Sequence, residues 1–399
     1  MPRMTPAQAR ALFPATQRAS YLNAAASSPI ATTVHQAVVD HYREAMEWGD
    51  VGFEAWIRRK DEIRRRLAQL IGADAEDVAF LNSTSMGFNL VARMLRAHGV
   101  RQVVTLADEF PTTTLPLLNA GLTLRVVRPK KDGAYSLDDL EAAVGRSTGA
   151  IVLSAVQYAS GFRIDLQAVR RLCRAKKLLF AVNGAQALGQ VPIDVKAAGI
   201  DFLCGTSHKW MMGGFGVGIF YARRALFGSS GPLPLAGWLS VASPMDMDNL
   251  AGAKRRGGRR RVWFEAGPGA RFRRMASAMD IGVTAFGPIF GFGEALAIIE
   301  RVGVEAIRGH NARLQKVLRA GLRSRGFAPN APDDPDVGSG ICVFPVRGDP
   351  HAAVRELGRK GVVVSPRGGG VRVSTHMFNA EEDLDQLFWA IDRIGLSPA

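Results

Sequence analysis

Between residues 33 and 71, apolar Val38, Ala45, Phe53, Trp56, Ile63, Leu67 and Leu70 recur among charges, which predicts one or two amphipathic helices. Beyond them, short apolar runs alternate with helical stretches. Residues 78–81, 102–106 and 122–127 read as strands, and 87–97 and 137–144 as helices. Residues 150–156 and 178–182 are continuous apolar runs, the pattern of strands buried on both faces, with a helical stretch at 166–175 between them. This βαβ alternation predicts an α/β fold: a large domain with a mostly parallel sheet flanked by helices. Ligands of such sheets sit in the loops beyond the carboxyl ends of the strands. From 228 to 274 the pattern dissolves into Gly, Pro, Ser and Arg and reads as a long connection. Helices at 289–301, 304–324, 351–360 and 381–394, with strands at 341–344, 362–365 and 371–374, predict a smaller α+β C-terminal domain.

Composition narrows the class. A chain of 399 residues with 47% apolar and 22% charged residues has the make-up of a soluble globular enzyme. No uncharged apolar run reaches the roughly 18 residues that a membrane helix needs. The start of the chain lacks the apolar core of a signal peptide, so a cytoplasmic location is expected. Cys173, Cys204 and Cys342 are scattered, which argues against disulfides and a zinc site. The net charge of +15 raises the question of an acidic partner. Its densest run, residues 254–261, reads as a solvated basic loop, and no nucleic-acid-binding motif accompanies it. Neither nucleic acid nor membrane is an expected partner.

Chemistry concentrates in a few segments. Lys209 lies between an apolar run and the glycines of Gly213-Gly214-Phe215-Gly216-Val217-Gly218. A lysine desolvated in such a place readily loses its proton and becomes a Schiff-base nucleophile. The Ser83-Thr84-Ser85 turn between a strand and a helix offers hydroxyls and free N–H groups to an anion. A strand ending at Val182 delivers Asn183 and Gln186, which a plain strand-end turn would also tolerate. Arg367 and Arg372 lie in the C-terminal strand region, where guanidinium forks suit carboxylates.

Taken together, 180–189, 201–218 and 364–379 resemble the cofactor region of fold-type I pyridoxal-phosphate enzymes. The likeness is greatest to the class-V aminotransferase family, which includes cysteine desulfurases, kynureninases and isopenicillin-N-epimerase-like proteins, and it covers nearly the whole chain. The resemblance implies pyridoxal 5′-phosphate linked to Lys209, with His208 beside it. Thr84, Ser85 and Thr206 would hold the phosphate, Phe110 would stack on the ring, and Gln186 would bond the phenolic oxygen. Arg372, assisted by Arg367, would grip the carboxylate of an amino-acid substrate. It further implies a homodimer with active sites near the interface. The expected layout is an N-terminal segment, 1–20, packing on the small domain, a cofactor-binding domain at 21–280 and a small domain at 281–399.

Three positions depart from the family pattern. Asn183 stands where the family has the aspartate that keeps the ring nitrogen protonated, and a neutral amide cannot do this. We expect a weaker electron sink, which favours β-elimination such as C–S cleavage over aminotransfer or epimerisation. Pro268 stands where a threonine donates to the partner's phosphate, which puts that contact in doubt. Glycines follow Arg367 where desulfurases carry a persulfide cysteine, so the expectation is that the chain is not a cysteine desulfurase. A cofactor-binding protein with eroded activity is the alternative.

Overall fold

The computed structural model describes residues 3–130, 133–229, 233–245, 254–258, 261–265 and 271–399. The chain opens with α1 (Pro6–Arg10) and the short β1 (Ser20–Tyr21). The amphipathic stretch that follows is two helices, α2 (Thr32–Trp48) and α3 (Phe53–Leu70), separated at Gly49, whose φ of 62° stops the first.

The alternating region then forms β2 (Val78–Leu81), α4 (Thr84–Ala97), β3 (Gln102–Leu106), α5 (Pro111–Asn119) and β4 (Thr123–Val127). After them come α6 (Leu137–Ala143), β5 (Thr148–Ser154), α7 (Leu166–Lys176), β6 (Leu179–Asn183), β7 (Phe202–Thr206) and β8 (Gly218–Ala222). The seven strands form one sheet in the order β2-β8-β7-β6-β5-β3-β4. Only β8 runs against the others, pairing antiparallel with both β2 and β7. Ile151 and Leu153 of β5 enter the core on one face of the sheet, and Ala150 and Val152 enter the core on the other. The strand is thus buried on both sides, as a parallel sheet covered by helices requires.

The remaining elements are β9 (Lys254–Gly258), β10 (Arg261–Glu265), α8 (Phe286–Val302), α9 (Val304–Arg323), β11 (Ile341–Pro345), α10 (Pro350–Arg359), β12 (Val362–Val363), β13 (Ser365–Arg367), β14 (Gly370–Ser374) and α11 (Glu381–Arg393). A small antiparallel sheet, β11-β14-β13, packs its apolar face on α9 and α11 through Leu318, Leu322, Phe344, Val373 and Leu387. The expected architecture, a mostly parallel sheet flanked by helices and a smaller α+β unit, is therefore the one found. Beneath the large sheet, buried Asp280 accepts hydrogen bonds from the Phe80 N–H at 2.9 Å and from Arg64, and pairs with Lys60 at 3.0 Å. Among the described residues, no helix is long and apolar enough to cross a membrane.

The structure differs from the sequence expectation in three places. The connection at 228–274 contains a hairpin, in which Arg256 of β9 pairs with Trp263 of β10. The basic run 254–261, read as a loop, is therefore largely strand backbone; a Gly/Arg-rich segment lacks the alternation that announces a strand. The helix α5 was not expected, because three threonines and Pro116 mask its helical pattern. Pro111 starts it at a position where a missing N–H costs nothing. The strand expected at 362–365 is two: β12 pairs with β1, and β13 pairs with β14. Pro268 lies outside the described residues.

Candidate active site

The carboxyl ends of the parallel strands converge on one cavity of about 430 Å³. Asn82 and Ser83 reach it from β2, Ser154 from β5, Asn183 from β6, and Thr206, His208 and Lys209 from β7. Ala25, from near the N-terminus, and Arg367 and Arg372, from the small sheet, close it. All ten residues singled out from the sequence line this space: Thr84, Ser85, Phe110, Asn183, Gln186, Thr206, His208, Lys209, Arg367 and Arg372.

At one end lies the start of α4. Helix geometry leaves the first N–H groups without intrahelical partners. Ser83 Oγ accepts that of Met86 at 3.2 Å, and those of Thr84 and Ser85 belong to residues bordering the cavity. Thr84 donates its hydroxyl to the Gly205 carbonyl at 2.9 Å, which ties the turn to β7. β8 starts so close to this turn that a Cβ on Gly218 would lie 2.6 Å from the Ser83 backbone, so only glycine fits there. Thr206 Oγ1 lies 2.7 Å from His208 Nδ1.

The turn carrying Lys209 is clamped from several sides. Ser28 N–H donates to the His208 carbonyl at 2.8 Å, Gly213 N–H to the Ser207 carbonyl at 2.8 Å, and His376 Nε2 lies 2.8 Å from the Trp210 carbonyl. Gly189, with φ 92°, packs against the same turn; a Cβ there would lie 2.4 Å from the Trp210 carbonyl oxygen. Lys209 Nζ sits 5.3 Å from the centre of the Phe110 ring. Phe215, largely exposed, stacks on His208 with ring centres 4.7 Å apart.

Gln186 has a fixed orientation. Its oxygen accepts from the Trp210 indole at 2.7 Å and its nitrogen donates to the Ala25 carbonyl at 2.9 Å, so the remaining N–H is its free donor. Asn183 accepts from the Ala185 N–H at 2.9 Å and donates to Thr113 Oγ1 at 2.8 Å.

Among the described residues, those lining the cavity include three cations, Lys209, Arg367 and Arg372, and no carboxylate. Burial, together with Arg372 and Arg367, pulls the Lys209 ammonium down to about 8. Burial and the Lys209 charge hold His208 near 4. Burial and Arg367 draw Arg372 down to about 9. The Arg372 guanidinium is 1% exposed, and its Nε and Nη2 have no hydrogen-bond partner. A buried cation with unmet donors calls for an anion. A helix start with hydroxyls at one end, a depressed lysine in the middle and an unmet guanidinium at the other make a donor set that fits a phosphorylated aldehyde and an amino-acid carboxylate.

Residues 20–387 match the family model described as Aminotransferase class-V. The chain belongs to the class-V aminotransferase family. Relatives that span nearly its whole length include two at 26% identity. An uncharacterised aminotransferase, YcbU, of Bacillus subtilis is 26% identical, with 98% of this chain and 97% of that protein covered. A probable cysteine desulfurase of Methanothermobacter thermautotrophicus is 26% identical, with 94% of each covered. Among solved structures, a C-DES variant with glycine covalently linked to its PLP cofactor superposes with a TM-score of 0.82 at 19% identity, covering 95% of this chain and 98% of that one. The fold is therefore fold-type I, and the cofactor of this family member is pyridoxal 5′-phosphate.

The full-length likeness to a protein named as a cysteine desulfurase overturns the expectation that desulfurase chemistry is excluded. That exclusion rested on one absent cysteine after Arg367. The residues that would activate Cα, hold the cofactor and grip the carboxylate lie elsewhere, and all of them line the cavity.

Sequence reasoning overlooked Ser154 and Tyr158, which also line the cavity, and Glu109 and Thr113 behind it. Ser154 ends a buried strand, and that position alone was sufficient signal. Nothing in the pattern linked Glu109 to Ser154 or Thr113 to Asn183.

The low proton affinity of Lys209 is open to direct test in the cofactor-free protein. Acylation of its amine, followed by peptide mass spectrometry across pH, is expected to show a midpoint near 8. Arg367→Met removes a neighbouring cation and is expected to raise that midpoint; an unchanged midpoint would remove Arg367 from the causes and leave burial and Arg372.

Proposed function

We propose that the protein cleaves the bond between the β-carbon and sulfur of a cysteine-type amino acid, with pyridoxal 5′-phosphate as cofactor. The observation that carries this reading is a cavity with a poised base and, among the described residues that line it, no carboxylic acid. Lys209, held near 8, is partly neutral at physiological pH and can take the Cα proton onto Nζ. His208, held near 4, is neutral over the same range and has no imidazolium proton to give a leaving group. A group leaving Cβ must therefore depart as a stable anion. A thiolate or persulfide does so readily, because a thiol, with a pKa of about 8.5, is far more acidic than an alcohol.

The cofactor, once bound, would supply the electron sink for the electrons of the Cα–H bond. The chain's own residues do the rest. Thr84, Ser85 and Thr206 hold the phosphate, with the α4 N-terminus behind them. Phe110 bounds one face of the ring. Gln186 offers its free N–H to the phenolic oxygen. Arg372 holds the substrate carboxylate and thereby turns the Cα–H bond towards Lys209. Supporting the sulfur assignment, the relative from Methanothermobacter is named as a desulfurase, and C-DES, which shares the fold, is described as a cystine C–S lyase with cysteine persulfide as product.

The deciding experiment offers cystine, an S-aryl cysteine and serine to the loaded enzyme. Pyruvate and ammonia are expected in equal amounts from the two sulfur compounds, with release of persulfide or thiol, and none from serine. Amino-group transfer to a keto acid without sulfur release would sink this reading. It would favour aminotransfer, the activity in the name of the Bacillus relative.

A further inference from the structure

Arg372 leaves one edge of its guanidinium open, at Nε and Nη2. Two parallel N–H groups on one edge match the two oxygens of a single carboxylate. The α-carboxylate of a substrate is thus met by Arg372 alone, and Arg367 is left over. Arg367 is half-buried and lines the same cavity. Its Nη1 donates to the Pro366 carbonyl at 2.8 Å, and among the described residues no carboxylate lines the cavity beside it. The cofactor phosphate is assigned to the other end, at the start of α4, and does not answer this charge.

A hairpin fixes how far apart the two cations stand. Gly368 and Gly369, with φ of 55° and 76°, form the two-residue turn between β13 and β14, and a tight type I′ turn needs positive φ at both places. The resulting register sets Ser365 opposite Arg372 and Arg367 opposite Gly370. Residues two apart on a strand share a face, and so do residues directly opposite, so Arg367 and Arg372 project from the same face of the small sheet. They are diagonal neighbours, about 7–8 Å apart at the backbone. Two carboxylates joined by a chain of a few atoms span such a distance. Both guanidiniums also act on Lys209, where with burial they draw the ammonium down.

We infer that Arg367 binds a second anionic group, carried on the side chain of the substrate, and so selects amino acids with two carboxylates. Joined to the C–S cleavage reading, on which the sulfur rests, this names the substrate class as S-carboxyalkyl cysteines. The α-carboxylate lies on Arg372 and the distal carboxylate on Arg367. A neutral side chain leaves Arg367 without an anion and forgoes that charge-assisted pair. The second carboxylate rests on the charges lining the cavity and on the hairpin, and not on the bond that is broken.

The test uses ligands without sulfur. The full chain, loaded with pyridoxal 5′-phosphate, is titrated by calorimetry and visible absorbance with L-2-aminoadipate, in which a methylene replaces the sulfur of S-carboxymethylcysteine, and with its side-chain amide. Hydrogen bonds to a charged group predict that the acid binds about 10- to 100-fold tighter than the amide. Arg367→Met is expected to abolish that preference by weakening the acid alone. Arg372→Met is expected to weaken both ligands and keep the preference. Equal affinities in the parent protein would overturn the proposal before any variant is made, and so would a preference that survives Arg367→Met. A preference in a protein that fails to cleave cystine upholds the second carboxylate and sinks only the sulfur assignment. Cleavage of cystine without a preference upholds the C–S reading and sinks this one.

Discussion

Lys209→Ala is expected to reduce kcat by on the order of 10⁴-fold or more, the scale seen when an essential catalytic nucleophile or base is removed. The expectation follows from the place of the amine: it is the one lysine among the residues lining the cavity, and its surroundings hold it near 8 instead of 10.5. The variant still has the α4 N-terminus, Thr84, Ser85 and Thr206, so it is expected to bind the cofactor without a covalent link. Borohydride reduction and peptide mass spectrometry separate the two states. The parent protein should carry a reduced adduct on the peptide containing Lys209, and the variant should release its cofactor on denaturation. An adduct on a different lysine would remove Lys209 from the mechanism.

Arg372→Met should show opposite signs in binding and stability. The guanidinium is buried and donates only to the Tyr158 carbonyl, at 3.2 Å, leaving Nε and Nη2 unmet. A substrate carboxylate would meet both, and a desolvated charge pair of this kind contributes about 2–5 kcal/mol on truncation of one partner. KM is therefore expected to rise by two to three orders of magnitude. Without ligand, the same cation is a burden to the fold. Replacing a buried charge by an apolar side chain of similar size is often neutral or stabilising by about 1–4 kcal/mol, here lessened by the lost bond to Tyr158. Thermal melts of the cofactor-loaded proteins should place Tm of Arg372→Met at or above that of the parent. A clear fall in Tm with unchanged KM would make Arg372 a structural residue.

The large sheet was legible because its central strands contain apolar runs such as 150–153, and a strand buried on both faces can hide few polar residues. Lys209, Asn183 and Arg372 were legible because each sits at a strand end or on a strand within a distinctive local pattern. The helix α5 was not, because its prolines and threonines carry no apolar stripe. The β9–β10 hairpin was not, because backbone pairing leaves no mark in a run of glycine and arginine. Reading the missing cysteine as an excluded reaction overweighted one loop position against the residues at the strand ends. The hydrogen bond from Asn183 to Thr113 joins the end of β6 to the unpredicted helix, so no local pattern could announce it.

The cavity draws on Ala25 near one end of the sequence and Arg372 near the other. During synthesis, the parallel strands can assemble before the small sheet exists, but the carboxylate grip cannot form until β14 has emerged. Contacts between residues so far apart in sequence form late in folding. A ligand that binds only the finished site stabilises it by mass action. Substrate thus acts as a completeness check on the newly made chain, and a polypeptide truncated before β14 keeps Lys209 and the residues assigned to the phosphate but lacks Arg372, which would grip the substrate carboxylate.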